Sequence, residues 1–463
     1  MTDFETYQSP FTWRYGSPEM RVIWSEAGKR RLWRKLWVAM AEAQIPFGLV
    51  TREQADELAA HSEDIDVSRT LEIEKEIHHD LMAEIRVFAA QCPAGGPILH
   101  LGATSMDIKD NAEALQTRQS LDLVLLKLAK LLRAFQDKIS AYANLPVMAY
   151  THLQPAEPTT LGYRLASYAQ DFLDDHEDLL RIRQNLKGKG FKGAVGNAAA
   201  SVELLGEQGQ LDFEMRLSKE LDLPFFPVST QTYTRRQDLV VLSALSALAA
   251  SAHKLAFDLR LLQSEMTGEL AEPFGRQQVG SSAMPFKRNP VEAEKIDSLA
   301  RLVGSAPLTA WENHANSLLE RTLDDSANRR LILPQSFLAV DEILTSLATI
   351  MDGLVVNQTA IERNLRKFSP FSALEQVLVE AVKRGADRQA THEALRQISM
   401  QAWKAVQQDA ANPLIKLLAT DQRIIKWIPE AELADLFDTS SYLGNAEASA
   451  LALAARIHER LKE

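Results

Sequence analysis

Several clusters of side chains in this 463-residue chain have the types and spacing to do chemistry. The first is the run from Gly280 to Pro290, Gly-Ser-Ser-Ala-Met-Pro-Phe-Lys-Arg-Asn-Pro. Gly280 frees the backbone, Pro285 and Pro290 limit where helix can form, and Lys287 is a movable point charge with three donors. The run predicts a mobile loop, although its composition alone is also that of an ordinary surface loop. The second is Tyr150-Thr-His-Leu-Gln-Pro155, where His152 sits among hydroxyl and amide groups and can exchange a proton near neutral pH. A purely structural histidine leaves the same local pattern.

His78-His79-Asp80 follows Lys75. Adjacent residues on a helix point about 100° apart, so His78 and His79 do not share one metal. No His-x-x-x-His or cysteine pair supplies further ligands, and no metal site is expected. Between Glu320 and Arg330 lie Arg321, Asp324, Asp325, Ser326 and Arg329. Ser326 and Arg330 are four apart and can share a helix face, so two guanidiniums and a hydroxyl could hold a phosphate. A salt-bridged helix end reads the same way. Arg14-Tyr15 has nothing local to mark it as a site.

The elements that must position these groups are helices. Leu121, Leu125, Leu128, Leu132, Phe135 and Ile139 recur every three or four residues, the seam of long helices packed nearly parallel, and predict a helix over about Asp110 to Ala143 that Pro146 stops. Arg236–Leu262 is apolar on almost every side, as in a helix buried within a bundle or between subunits. Pro158–Leu186 and Glu292–Ala306 also read as helix, and few strand patterns appear. The expected fold is all-α with three helical regions: 1–104, a central long-helix bundle over 105–356 carrying the loop, and 357–463, where Ser369-Pro370, Asn412-Pro413 and Pro429 interrupt shorter helices. Helices apolar on several faces point to a multi-helix core in an oligomer.

Composition narrows the class. Hydrophobic residues make up 46% of the chain, enough for a sizeable core. The formal net charge of -11 weighs against nucleic acid as a partner but not against a small anion held by a local basic cluster. Cys92 is the one cysteine, so neither an internal disulfide nor a cysteine zinc site is available. The first residues show no secretory signal. The apolar stretch near Leu239–Ala252 is shorter than the roughly 20 residues of a membrane span, and a cytoplasmic protein without a membrane partner is expected.

Taken together, these segments resemble a known group. Gly280–Pro290 resembles the signature loop of the fumarase/aspartase superfamily, and within it the chain is similar to the adenylosuccinate lyase family. The similarity runs through Ser17-Pro-Glu-Met20, His100-Leu-Gly-Ala-Thr-Ser105, Thr151-His-Leu-Gln-Pro-Ala156, Gln231-Thr-Tyr233 and Arg321–Arg330. It implies cofactor-free β-elimination of fumarate from adenylosuccinate, giving AMP, and from the succinylamino precursor SAICAR, giving AICAR. It further implies a homotetramer in which three subunits build each active site.

The resemblance also implies roles. Ser281 is the general base at the succinyl carbon, His152 the general acid at the leaving nitrogen, and Glu294 the carboxylate partner of that histidine. Lys287 and Asn289 stabilise developing negative charge. His78, His79 and Asp80 form a substrate-contacting segment, with His79 near the phosphate or leaving group. Arg14, Tyr15, Arg321, Ser326 and Arg330 hold the phosphate and ribose, and Thr104, Ser105 and Gln231 the succinyl portion. Lys295 stands where related chains often have Arg; it is a further ligand that keeps the charge but not the bidentate fork. Residue chemistry alone favours histidine as base, because serine is a very weak acid and each unit of pKa mismatch costs about 1.4 kcal/mol. Alternatives are another fumarate-releasing lyase, such as argininosuccinate lyase or fumarase, or a non-catalytic structural derivative. The phosphate cluster argues against the former, and the presence of Ser281 and His152 against the latter.

Overall fold

The computed structural model describes residues 5–408, 410–438 and 442–462. The principal elements are α1 (Glu26–Gln44), α2 (Val67–Ile77), α3 (Asp80–Gln91), α4 (Ser105–Ala141), β1 (Pro146–Thr151), β2 (Gln154–Thr160), α5 (Leu161–Asn185), α6 (Ala199–Glu220), α7 (Arg236–Gln263), α8 (Val291–Ala315), α9 (Asp324–Asp352), α10 (Gln358–Lys383) and α11 (Arg388–Gln407). The fold is all-α, with strands confined to two small two-stranded sheets among the described residues. In α4 the expected seam is the buried face: Leu121, Leu125, Leu128, Leu132, Phe135 and Ile139 are all buried.

The chain forms two compact units, each drawn from three stretches of sequence. The first takes the stretch ending at Leu128, Asp174–His253 and Lys295–Thr345; the second takes Ala129–Leu173, Lys254–Glu294 and the stretch from Ser346 onward. Trp33, Trp37, Phe88, Phe191 and Phe213 are among the buried residues of the core of the first unit. Val377, Leu395, Leu414, Ile424 and Leu433 belong to a core of the second. The expected regions 1–104, 105–356 and 357–463 partition the sequence, whereas these units interleave it.

The structure differs from the sequence reading at two places. Residues 158–160 are strand, not helix: β1 and β2 pair antiparallel, with Thr151 opposite Gln154 and an irregularity between Met148 and Tyr150. The turn is His152-Leu153, with φ of +53° and +59°. Hairpin turns with two left-handed residues usually carry Asn-Gly, so this one has no turn signature. Each such residue costs about 1–2 kcal/mol. The hairpin is held from outside the turn: Arg164 donates to Met148 O at 2.6 Å and pairs with Glu269 at 2.9 Å, and Ser372 Oγ donates to Ala156 O at 2.6 Å.

The second difference is Ser369-Pro370, which lies inside α10 rather than ending a helix. An interior proline costs about 3 kcal/mol. Local packing offsets it: Ser369, Ser372 and Ala373 are buried, and Phe371 meets Trp403 edge-on at 5.2 Å.

By length and composition α7 and α9 could each cross a membrane. The helix α7 matches the expected Arg236–Leu262 and extends beyond its most apolar stretch, Leu239–Ala252. Both carry buried charge, Asp238 in α7 and Asp325, Arg329 and Asp341 in α9, which is the mark of helices inside a protein core.

Candidate active site

In the first unit, a buried ionic frame fixes the Arg321–Arg330 segment. Arg235 donates to Asp325 at 2.7 Å and to both oxygens of Asp110 at 3.1 Å. Arg329 donates to Asp238 at 2.7 Å and to the Tyr233 hydroxyl at 2.8 Å, and also pairs with Glu113. Tyr233 in turn donates to Asp238 at 2.6 Å. Charges this deeply buried are tolerable only when paired and hydrogen-bonded, and here each is. Burial raises the pKa of Asp325, but Arg235, Arg329 and Arg321 outweigh it and hold the carboxyl below its ordinary value.

On this frame stands a small cavity lined by Lys29, Lys109, Arg321, Ser326, Arg329 and Arg330, with Asp80 and Glu113 as its carboxylates. Five cations against two anions make it an anion site by charge count. Arg321 is steadied by Asp325 at 3.0 Å, and Arg330 by Asp80 at 3.2 Å. Asp80 also accepts from Lys109 at 2.8 Å. Burial would raise Asp80, yet Lys109 and Arg330 hold it below its usual value, so it stays charged and keeps both cations in place. Burial pushes the pKa of Glu113 up, against the pull of Arg329. Lys29 and Lys109 carried no sequence signal; their spacing from the Arg321–Arg330 segment is closed only by the fold.

His79 is the N-cap of α3: its Nδ1 accepts the Met82 N–H at 3.1 Å, leaving Nε2 protonated 3.5 Å from Ser105 Oγ. His78 caps the end of α2 in a left-handed conformation and is exposed. Thr104 and Ser105 open α4, where Asp107 accepts the Thr104 N–H at 2.9 Å and pairs with the buried Lys189. His100, also left-handed, accepts the Trp37 indole N–H at 3.1 Å on Nδ1. Burial, and to a lesser extent His79, depresses it to about 4, so His100 is neutral. The backbone N–H of Gln231 donates to Glu320 O at 3.2 Å, which brings its loop beside Arg321.

Arg14 is exposed, with its guanidinium 5.7 Å from the Trp13 ring centroid and 5.8 Å from that of Tyr15. The next residue, Gly16, fixes this segment on α9: its N–H donates to Glu342 at 3.1 Å. Its φ of +82° and a Leu338 methyl 2.7 Å from where a Cβ would stand explain the glycine. Lys295 reaches the same Glu342 at 2.8 Å, so the structure gives this lysine an internal partner.

The second unit holds the remaining candidates. The 280–290 loop closes on itself. Asn289 Nδ2 donates to Gly280 O at 2.8 Å, and a Cβ on Gly280 would stand 2.1 Å from Lys287 O. Ser281 Oγ accepts N–H groups of Met284 at 3.1 Å and Ala283 at 3.4 Å. Two donors on one oxygen favour its anionic form. Every side chain from Ser282 to Arg288, Lys287 included, is exposed, with Phe286 at 83%. His152 projects from the tip of the hairpin, exposed. Glu294 is 3.9 Å from Arg260, and among the described residues no hydrogen bond joins it to His152.

The chain as a whole has counterparts among known proteins. A lyase family model matches residues 16–304, and a model described as adenylosuccinate lyase C-terminus matches 370–450. Adenylosuccinate lyase of Saccharomyces cerevisiae is 38% identical over 96% of this chain and 93% of its own. The chain belongs to the adenylosuccinate lyase family. Its relative in Archaeoglobus fulgidus is 34% identical over 98% of this chain and 99% of its own. Among solved structures, 3-carboxy-cis,cis-muconate lactonizing enzyme from Pseudomonas putida superposes with a TM-score of 0.86 at 26% identity, covering 99% of this chain and 100% of that one. A fumarate lyase from Mesorhizobium, at 24% identity and a TM-score of 0.84 over 97% of this chain and 99% of that one, shares the fold. Family membership therefore extends into the last quarter of the chain, where the sequence alone offered no motif.

Proposed function

We propose that this enzyme is a C–N lyase that splits adenylosuccinate into AMP and fumarate, and SAICAR into AICAR and fumarate. The observation that carries the reading is the cation-rich cavity of Arg321, Ser326 and Arg330 in a chain whose relatives bear that name. A substrate phosphate suits that cavity; argininosuccinate and malate have none to offer it.

In this reading Ser281, as alkoxide, removes a proton from the succinyl carbon next to the one bonded to nitrogen. The electron pair left behind is stabilised through the adjacent carboxylate by Lys287, with Asn289 holding the loop neck. The C–N bond then breaks as the carbon–carbon double bond of fumarate forms, and His152 gives its proton to the departing nitrogen. The two N–H donors on Ser281 Oγ support the base assignment, because they stabilise the charge that makes serine basic. His78, His79, Asp80, Thr104, Ser105, Gln231, Arg14, Tyr15 and Lys295 act as substrate-side groups, with Glu294 orienting His152.

We further propose a cytoplasmic homotetramer with active sites shared between subunits. Exposed apolar side chains on the long helices support it: Leu126 on α4, Phe257 on α7, Leu308 and Trp311 on α8 and Leu331 on α9. Such surface asks for a partner. It also accounts for His152 and Glu294 lacking one another within the chain. No cofactor, metal, nucleic acid or membrane enters the scheme.

Purified protein should turn over adenylosuccinate with a falling ultraviolet absorbance and release of fumarate, unaffected by chelator. Turnover of argininosuccinate in its place would reject the substrate assignment. Mixing inactive His79→Ala and Ser281→Ala proteins should restore activity; none after verified subunit exchange would reject shared sites.

A further inference from the structure

The first unit contains a second basic cavity that shares no residue with the one lined by Arg321, Ser326 and Arg330. It has a volume of about 310 Å3 and lies between the end of α5 and the start of α7. That is the lower end of the ~300–1,000 Å3 typical of small-molecule sites.

Its lining has two halves. Arg181, Lys187 and Arg236 are cations, and no aspartate or glutamate lines the cavity with them. Arg181 is partly engaged by Asp178 at 2.7 Å, whereas the exposed Arg236 side chain has no partner among the described residues. The other half is apolar: Phe226, Val240, Val241 and Leu186. Lys187 stands 5.7 Å from the Phe226 ring centroid, at the junction of the halves. Asn185 uses its amide N–H on Arg181 O at 2.8 Å, which leaves its carbonyl oxygen to accept from a ligand.

The walls are locked together. The Lys187 N–H donates to the Gln237 side chain at 3.0 Å, and Gln237 donates back to Lys187 O at 2.9 Å. A preformed pocket with a flat apolar wall, an amide acceptor and a cluster of cations fits one kind of molecule. The ring lies on Phe226 and the valines, an exocyclic amino group meets Asn185, and a phosphate meets Lys187 and Arg236.

We infer that this cavity is a second binding site for an aromatic phosphomonoester, of the class of purine nucleoside 5′-monophosphates. The assignment does not require the proposed reaction to be correct. The thread Gln231–Gln237 joins it to the frame, since Thr234 and Gln237 line the cavity while Tyr233 and Arg235 sit in the frame.

Calorimetric titration of the full-length protein with AMP tests it. Two molecules per chain are expected. Arg236→Glu, a change at an exposed side chain, should leave one, as should the independent Phe226→Ala. Arg330→Ala should weaken the other site and leave this one unchanged, and its crystal structure with AMP should show the nucleotide against Phe226. A stoichiometry unchanged from the wild type in both Arg236→Glu and Phe226→Ala overturns the inference. Failure of adenylosuccinate turnover would reject the proposed activity and leave the loss of one molecule in these two variants as the test of this site.

Discussion

The ionic frame around Arg235 and Arg329 and the loop from Gly280 to Pro290 solve opposite problems. In the frame, guanidiniums and carboxylates are buried and tied to one another at 2.7–3.1 Å. In the loop, the side chains from Ser282 to Arg288 are in solvent, and apolar Val279 and Phe286 are 81% and 83% exposed. One region is finished on folding, and the other is shaped at its neck but uncovered. A phosphate carries the same charge throughout a reaction, so its receptor can be rigid. In the proposed reaction the base acts only while substrate is bound. The contrast is what a divided task requires: permanent anchoring in one place and conditional chemistry in the other.

The largest expected effect is on the loop. Ser281→Ala should lower kcat by about 10²–10⁴-fold, the usual worth of positioned proton transfer, with substrate binding and melting temperature unchanged. Near-normal kcat would remove Ser281 from the mechanism. The mirror experiment is Arg329→Ala, which strands Asp238 and Glu113; denaturant titration should show a loss of about 3–5 kcal/mol. If stability held, the frame would not be structural. Gly280→Ala places a Cβ against Lys287 O. Its expected cost of about 1–3 kcal/mol should appear in kcat and not in thermal melting, because the loop is not part of the core. Arg330→Ala should raise KM more than it lowers kcat, costing about 1.5–3 kcal/mol for a lost charged hydrogen bond; a pure kcat effect would contradict an anchoring role.

The smallest effect concerns His100. Its depressed value of about 4, against an ordinary 6.5, means the unfolded chain takes up a proton that the folded one refuses. Stability is therefore full above pH 6.5 and declines as pH falls towards 4. His100→Gln should flatten that part of the acid-unfolding curve while leaving the neutral plateau in place; an unaltered slope would show that other groups set it.

The long helices, the loop and the Arg321–Arg330 cluster were legible because each announces itself locally, by seam spacing or by an ordered run of residue types. The frame was not. Arg329 meets Glu113 across 216 residues and Arg235 meets Asp110 across 125, and nothing local marks either partner. Lys29 and Lys109 escaped for the same reason. The hairpin escaped because His152-Leu153 lacks the glycine or asparagine that left-handed turns prefer, and strain at such a site shows only in coordinates. Pro370 misled in the other direction, since a local rule was overridden by the packing of Phe371 on Trp403.

The interleaving of three stretches into each unit has a consequence for how this protein can change. Neither unit corresponds to a continuous piece of chain, so neither can be excised, exchanged between relatives or expressed by itself without cutting α4, α5, α7, α8 or α9. Recombination that swaps whole modules is closed to such an architecture. Innovation must come residue by residue, or in the loops and the two chain ends.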